Sequence, residues 1–233
     1  MTVPKHLAII MDGNRRFAKE MELLDKEGHK HGAEKIKPVL NWCRELGIKE
    51  VTLWAFSSEN FNRPKEELDE LFRLFKEYAI QFANDSETHE NKIKVNIIGD
   101  ISRFPKDVKE AILEAVDKTK NYDSFILNIA LGYGGKQEIV DCIQNIAKLI
   151  EKVKLSSKDI DKELIETYMY SRNMSNIDLV IRTSGEQRTS GFLMWKTDYA
   201  EYYFCDKYWP EFSKEDLLKA IISYSERKRR FGK

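Results

Sequence analysis

The chain has no excess of positive charge: Lys+Arg and Asp+Glu each total 39 of its 233 residues. A general polyanion binder carries a basic excess, so no nucleic-acid partner is expected, and only local cationic pockets remain open. Cysteine is scarce. Cys43, Cys142 and Cys205 are far apart, odd in number and without C-x-x-C spacing, which reads as buried thiols in a reducing compartment and not as a disulfide framework or zinc site. No apolar run approaches the ~20 residues that span a bilayer. A strand-like segment starts within a few residues of Met1, leaving no visible signal peptide. The expectation is a cytoplasmic protein, with at most peripheral contact to a membrane. Also missing are a G-x-x-x-x-G-K-[ST] loop and a G-x-G-x-x-G after the first strand, which disfavours P-loop nucleotidases and dinucleotide folds. No linker, internal repeat or low-complexity tract divides the chain, and one domain over residues 1–233 is expected.

What is present alternates. Runs rich in β-branched and aromatic residues recur at 7–11, 51–56, 95–98, 125–131, 179–181 and 202–204. Between them lie helical periodicities: Ile36, Val39, Leu40 and Cys43 in one segment, Leu68, Leu71, Phe72 and Phe75 in another. Residues 108–116, 139–150 and 217–230 complete the helical set. Pro64 opens its helix favourably, whereas Pro38 lies inside the earlier one and should bend it. The pattern predicts an α/β fold, a mainly parallel six-stranded sheet flanked by helices.

Ligands of open α/β sheets collect beyond the carboxyl ends of the strands, and the chain's unusual residues sit there. Asp12-Gly13-Asn14-Arg15-Arg16 follows strand one and Ser57 to Arg63 follows strand two. Gly132-Tyr133-Gly134-Gly135-Lys136 follows strand four, and Arg182 to Arg188 follows strand five. A carboxylate beside guanidiniums suits a magnesium ion and a diphosphate held together. Mg²⁺ takes one or two carboxylates plus phosphate oxygens, and arginine offers those oxygens a planar fork of donors. Four polar clusters on one rim predict a site.

The strings HLAIIMDGNRRFAKE, AFSSENFNRP, LNIALGYGGK and IRTSGEQRTSGFLMWKTDYAEYYF resemble the signature blocks of cis-prenyltransferases, the undecaprenyl and dehydrodolichyl diphosphate synthases, with similarity over residues 6–231. The D-D-x-x-D of the all-helical trans-prenyltransferases is absent. The resemblance implies condensation of isopentenyl diphosphate with an allylic diphosphate (geranyl, farnesyl or geranylgeranyl), with Mg²⁺, to a cis-polyprenyl diphosphate. It implies that Asp12 binds Mg²⁺ and that Glu201 completes the metal site. Gly13, Asn14, Arg15 and Arg16 would bind the allylic diphosphate, flanked by Phe17 and His29. Arg182, Arg188 and Ser190, with Thr189 beside them, would hold the isopentenyl diphosphate. Asn60 takes the catalytic place linked to proton removal, with Ser57, Ser58, Glu59, Phe61 and Arg63 around it. An amide is a poor base, so Asn60 is expected to orient, and diphosphate oxygen to accept the proton.

The resemblance further implies a homodimer, whose C-terminal segment, including 227–230, lies near the partner's site. It also implies a hydrophobic tunnel between sheet and helices. Its walls are expected in the helix at 68–82 and the strand from Phe125, which would close it for a short or medium product. Four positions depart from the family pattern. Asp25 stands where an arginine usually contacts the allylic diphosphate, Lys136 where arginine is usual, and Thr189 and Lys196 replace an apolar residue and a glutamine. An anion ~6 Å from a diphosphate costs up to several kcal/mol before solvent screening. The alternatives are a non-catalytic or partner-requiring subunit and a branched, head-to-middle coupling enzyme.

Overall fold

The computed structural model describes residues 1–152 and 155–227. Its strands are β1 (His6–Ile10), β2 (Glu50–Ser57), β3 (Ile93–Ile98), β4 (Phe125–Tyr133), β5 (Leu179–Arg182) and β6 (Glu201–Phe204). The helices among these residues are α1 (Asn14–Glu20), α2 (Asp25–Glu34), α3 (Ile36–Glu45), α4 (Lys65–Asn84), α5 (Ser86–Glu90), α6 (Lys106–Thr119), α7 (Gly135–Glu151), α8 (Lys162–Tyr168) and α9 (Lys214–Glu226). One sheet runs β3-β4-β2-β1-β5-β6. Every pairing is parallel, so the expected sheet is wholly and not just mainly parallel. β1 is buried at all five positions, as a central strand covered on both faces must be.

The chain starts in the middle of the sheet, adds β2, β4 and β3 on one side, then returns to place β5 and β6 on the other. That makes the carboxyl end of β1, between β2 and β5, the switch point where a crevice opens. One face packs Leu7, Ile9, Leu53, Leu127 and Ile181 against α3 and α9, continuing into a cluster of Phe56, Leu71, Phe104 and Ile112. The other face packs Ala8, Ala130, Val180, Phe192 and Leu193.

Leu24 is the N-cap of α2 and Glu27 Oε2 accepts from its N–H at 2.8 Å, which starts the helix four residues before His29. One local expectation needs correction. Pro38 does not bend a helix from within. The chain breaks at Lys35 between α2 and α3, and Pro38 falls in the first turn of α3, where its missing N–H costs nothing. Pro64 is the N-cap of α4. The last expected helix ends at Glu226, and the cationic positions 228–230 lie outside the described residues.

Candidate active site

Parallel registry sets Ile10 beside Arg182, so the chain leaving β1 emerges against the end of β5. Thr183 stitches the two together: its Oγ1 accepts from the Asp12 N–H at 2.9 Å and donates to the Asp12 carbonyl at 2.7 Å. The Trp209 N–H donates to that carbonyl at 3.0 Å. Gly13 then turns with φ 106°, and a Cβ there would sit 2.7 Å from the Tyr208 ring, so only glycine lets α1 start here.

These constraints aim the Asp12 carboxylate between two guanidiniums. Arg182 Nη2 donates to Oδ2 at 2.8 Å and Arg16 Nη2 to Oδ1 at 3.1 Å. Burial pushes the Asp12 carboxyl up, but the hydrogen bond and charge of Arg182, then the charge of Arg16, outweigh it and hold it below the usual carboxylate range. Arg182 is buried, also donates to the Arg188 carbonyl at 2.5 Å and to Ser190 Oγ at 3.1 Å, and keeps a buried Nε without a partner. Arg16 donates to Ser184 Oγ at 2.7 Å and to Glu186 at 2.9 Å. Arg188 pairs with Glu186 at the surface.

A second group faces this one from α2 and α4. His29 Nε2 lies 3.2 Å from Glu67 Oε1, which also accepts from Arg63 at 2.9 Å. At the mouth, Arg15 Nε donates to Asp25 at 2.9 Å, with both side chains about half exposed. Asp25, the departure from the family pattern, is thus matched by Arg15. An exposed pair of this kind is worth about 0–1 kcal/mol, so Asp25 holds Arg15 only weakly.

The two groups enclose a cleft of about 550 Å³ lined by Met11, Asp12, Gly13, Asn14, Arg15, Arg16, Lys19, Leu23, Asp25, His29 and Arg63. Its cations outnumber its carboxylates. Met11, Asn14 and His29 also line an apolar cavity of about 110 Å³ that continues between the sheet and α2, α4 and α6. Its walls include Ala55, Leu71, Leu74, Phe75, Ala79, Ile97, Ile112, Ile129 and Leu131, together with Ile36, Tyr78, Phe82 and Val95. Phe125 is not among them. It shares the face of Ile129 and Leu131 but lies at the start of β4, buried with Leu40, Cys43 and Ile48, so Phe125 does not line this cavity as expected.

Other expected residues fall outside the cleft lining. Phe17 meets the His31 ring edge-on at 5.8 Å. Ser57, Ser58, Glu59, Asn60 and Phe61 form the 3₁₀ turn after β2 and its cap. Asn60 Oδ1 there accepts from the Ser57 N–H at 2.9 Å, and Phe61 packs on Phe56. Thr189 is half-buried and Ser190 exposed in the loop that Arg182 holds. Lys136 is exposed, and the buried Lys196 pairs with Glu166. Glu201 is not brought to Asp12. It opens β6 in register with Leu179, at the opposite end of the sheet, and pairs with Arg227 at 2.7 Å. Among the described residues no three His, Cys, Asp or Glu side chains gather as a metal cage. The donor set nevertheless fits Mg²⁺ shared with a diphosphate, which needs as little as one protein carboxylate. Glu67 went unnoticed in the sequence. Its signal was the i, i+4 spacing from Arg63.

Three comparisons bear on this geometry. The family model for undecaprenyl diphosphate synthases matches residues 10–232. A tritrans,polycis-undecaprenyl-diphosphate synthase (geranylgeranyl-diphosphate specific) of Methanocaldococcus jannaschii is 51% identical over 99% of this chain and 83% of its own length. Among solved structures, lavandulyl diphosphate synthase from Lavandula x intermedia, in complex with dimethylallyl diphosphate, superposes with a TM-score of 0.92 at 35% identity, covering 99% of both chains. A protein of Campylobacter jejuni described as a "probable undecaprenyl diphosphate synthase" gives 0.80 at 32% identity over the full length of both chains.

Proposed function

The chain belongs to the undecaprenyl diphosphate synthase family, the cis-prenyltransferases that make cis-polyprenyl diphosphates, and we propose that it extends geranylgeranyl diphosphate with isopentenyl diphosphate to a medium-length product. One observation carries the reading: a cationic cleft and an apolar cavity share Met11, Asn14 and His29. That joint suits an amphiphile with an anionic head and a hydrocarbon tail. The primer follows the specificity named for the Methanocaldococcus relative and for that of Pyrococcus horikoshii, 47% identical.

In this reading Arg15, Arg16, Arg63 and the N–H groups opening α1 hold the allylic diphosphate with its tail in the cavity. Arg182, with its spare Nε, Arg188 and Ser190 hold the isopentenyl diphosphate. Asp12 would hold Mg²⁺, which supplies charge neutralisation to the departing diphosphate. The arginines around it add fixed positive charge where negative charge grows, the largest source of rate in such sites. Asn60 spends its carbonyl on Ser57 and is too weakly basic to take a proton, so it orients, and a diphosphate oxygen accepts the C2 proton as the new double bond forms. Glu201 reaches a metal site only if a second copy brings it, which fits a homodimer.

The test is incubation with labelled isopentenyl diphosphate, Mg²⁺ and geranyl, farnesyl or geranylgeranyl diphosphate, followed by product sizing. Linear cis products, made fastest from geranylgeranyl diphosphate, are expected. No extension of any primer, or a branched product, overturns the reading.

A further inference from the structure

Ser184, just past the end of β5, has φ 81°. That is the left-handed region, which glycine enters freely and a residue with a Cβ only at a cost. Its neighbours hold it there. The Ser184 N–H donates to the Lys207 carbonyl at 2.7 Å, and the Gly185 N–H to the Cys205 carbonyl at 2.9 Å. A Cβ on Gly13 would come 3.0 Å from the Ser184 Cβ, so the strained residue is packed directly behind the start of α1. Glycine would fill this position without strain, yet the chain carries serine.

The hydroxyl supplies the reason. Ser184 is buried, and its Oγ accepts from Arg16 Nη2 at 2.7 Å. The same nitrogen donates to Asp12 Oδ1 at 3.1 Å. The other terminal nitrogen of Arg16 donates to Glu186, a carboxylate that Arg188 shares. The Arg16 side chain is 42% exposed, and ion pairs so open to water hold a long side chain loosely. Of the three side chains that accept from Arg16, only Ser184 is uncharged. It fixes the guanidinium and leaves its positive charge free for an anion in the cleft.

Given the prenyl transfer proposed above, on which this rests, we propose that Ser184 is a positioning residue. Its hydroxyl directs the Arg16 guanidinium at the departing diphosphate, and the left-handed backbone is the strain that this placement imposes. Arg15 and Arg63 line the same cleft and hold the substrate diphosphate without it. The direction of Arg16 matters most as negative charge grows on the leaving group, so its loss appears in kcat and little in KM. Strain retained for function also means that relieving it stabilises the fold without restoring the rate.

Two variants separate these effects: Ser184→Ala removes the hydroxyl and keeps the strain, whereas Ser184→Gly removes both. Incorporation of labelled isopentenyl diphosphate onto geranylgeranyl diphosphate, with Mg²⁺, is measured beside thermal unfolding. Both variants are expected to lose kcat by about 10- to 100-fold, with KM for geranylgeranyl diphosphate within about threefold of the parent. Ser184→Gly should melt about 2–4 °C above Ser184→Ala. Two equally slow enzymes of different stability exclude a purely structural role. Parental kcat in either variant, a kcat that recovers with Tm from Ala to Gly, or a Gly variant that melts no higher than the Ala variant overturns the proposal and leaves the transferase reading intact. No isopentenyl incorporation by the parent protein overturns that reading and the proposal with it.

Discussion

At the scale of single residues, the site is a set of charges that would be costly apart. Asp12 tolerates partial burial because Arg182 and Arg16 face both its oxygens. His29 is governed by the opposite balance. Burial pushes its imidazole down, the hydrogen bond to Glu67 pulls it up, and the charge of Arg63 adds to the fall, leaving it below the ordinary histidine value. The unfolded chain therefore takes up a proton near pH 6.5 that the folded His29 still refuses. Stability is fully present above that pH and falls as pH drops toward the folded value. His29→Gln should lose less Tm than the parent between about pH 7 and about pH 5.5; parallel curves would contradict the assignment. Asp12 and Arg182 were legible because each closes an apolar run, where chemistry is conspicuous. Glu67 was not, since α4 carries charge along its whole exposed face and one more carboxylate there is silent.

At the scale of elements, the decisive join is between β1 and β5. Thr183 is fully buried and makes both side-chain bonds to the Asp12 backbone, so Thr183→Val keeps shape and removes the stitch. Expected are a stability loss of about 1–3 kcal/mol by denaturant unfolding and a kcat fall of up to about 100-fold, with a smaller change in KM. Unchanged kcat would show that Asp12 needs no such support. Strand and helix types followed from periodicity, but depth did not. Alternation sets Phe125 on the face of Ile129 and Leu131, while only the packing of α3 reveals that it is buried outside the cavity lining. Glu201 misled for a related reason: a short string fixes its place in β6, not which end of the sheet faces the site.

For the whole molecule, strand alternation announced a parallel sheet, but not that the chain begins at its centre, which is what makes the end of β1 a crevice. Among the described residues no helix is long and apolar enough to cross a membrane. Ile139, Val140 and Ile143 on α7 nevertheless stay 37%, 44% and 60% exposed, with Met194 at 39%. Exposed apolar side chains spaced this way on one helix suit an interaction surface, and the proposed homodimer would cover them with a second copy. Ile143→Lys should shift sedimentation from dimer toward monomer; an unchanged distribution would place the interface elsewhere. The central claim, that this chain alone elongates an allylic diphosphate at Asp12, is tested most directly by labelled isopentenyl incorporation with geranylgeranyl diphosphate in parent and Asp12→Ala proteins. The account predicts a ladder of cis products from the parent and a loss of at least about 100-fold in the variant. Equal incorporation by both, or none by the parent, would contradict it.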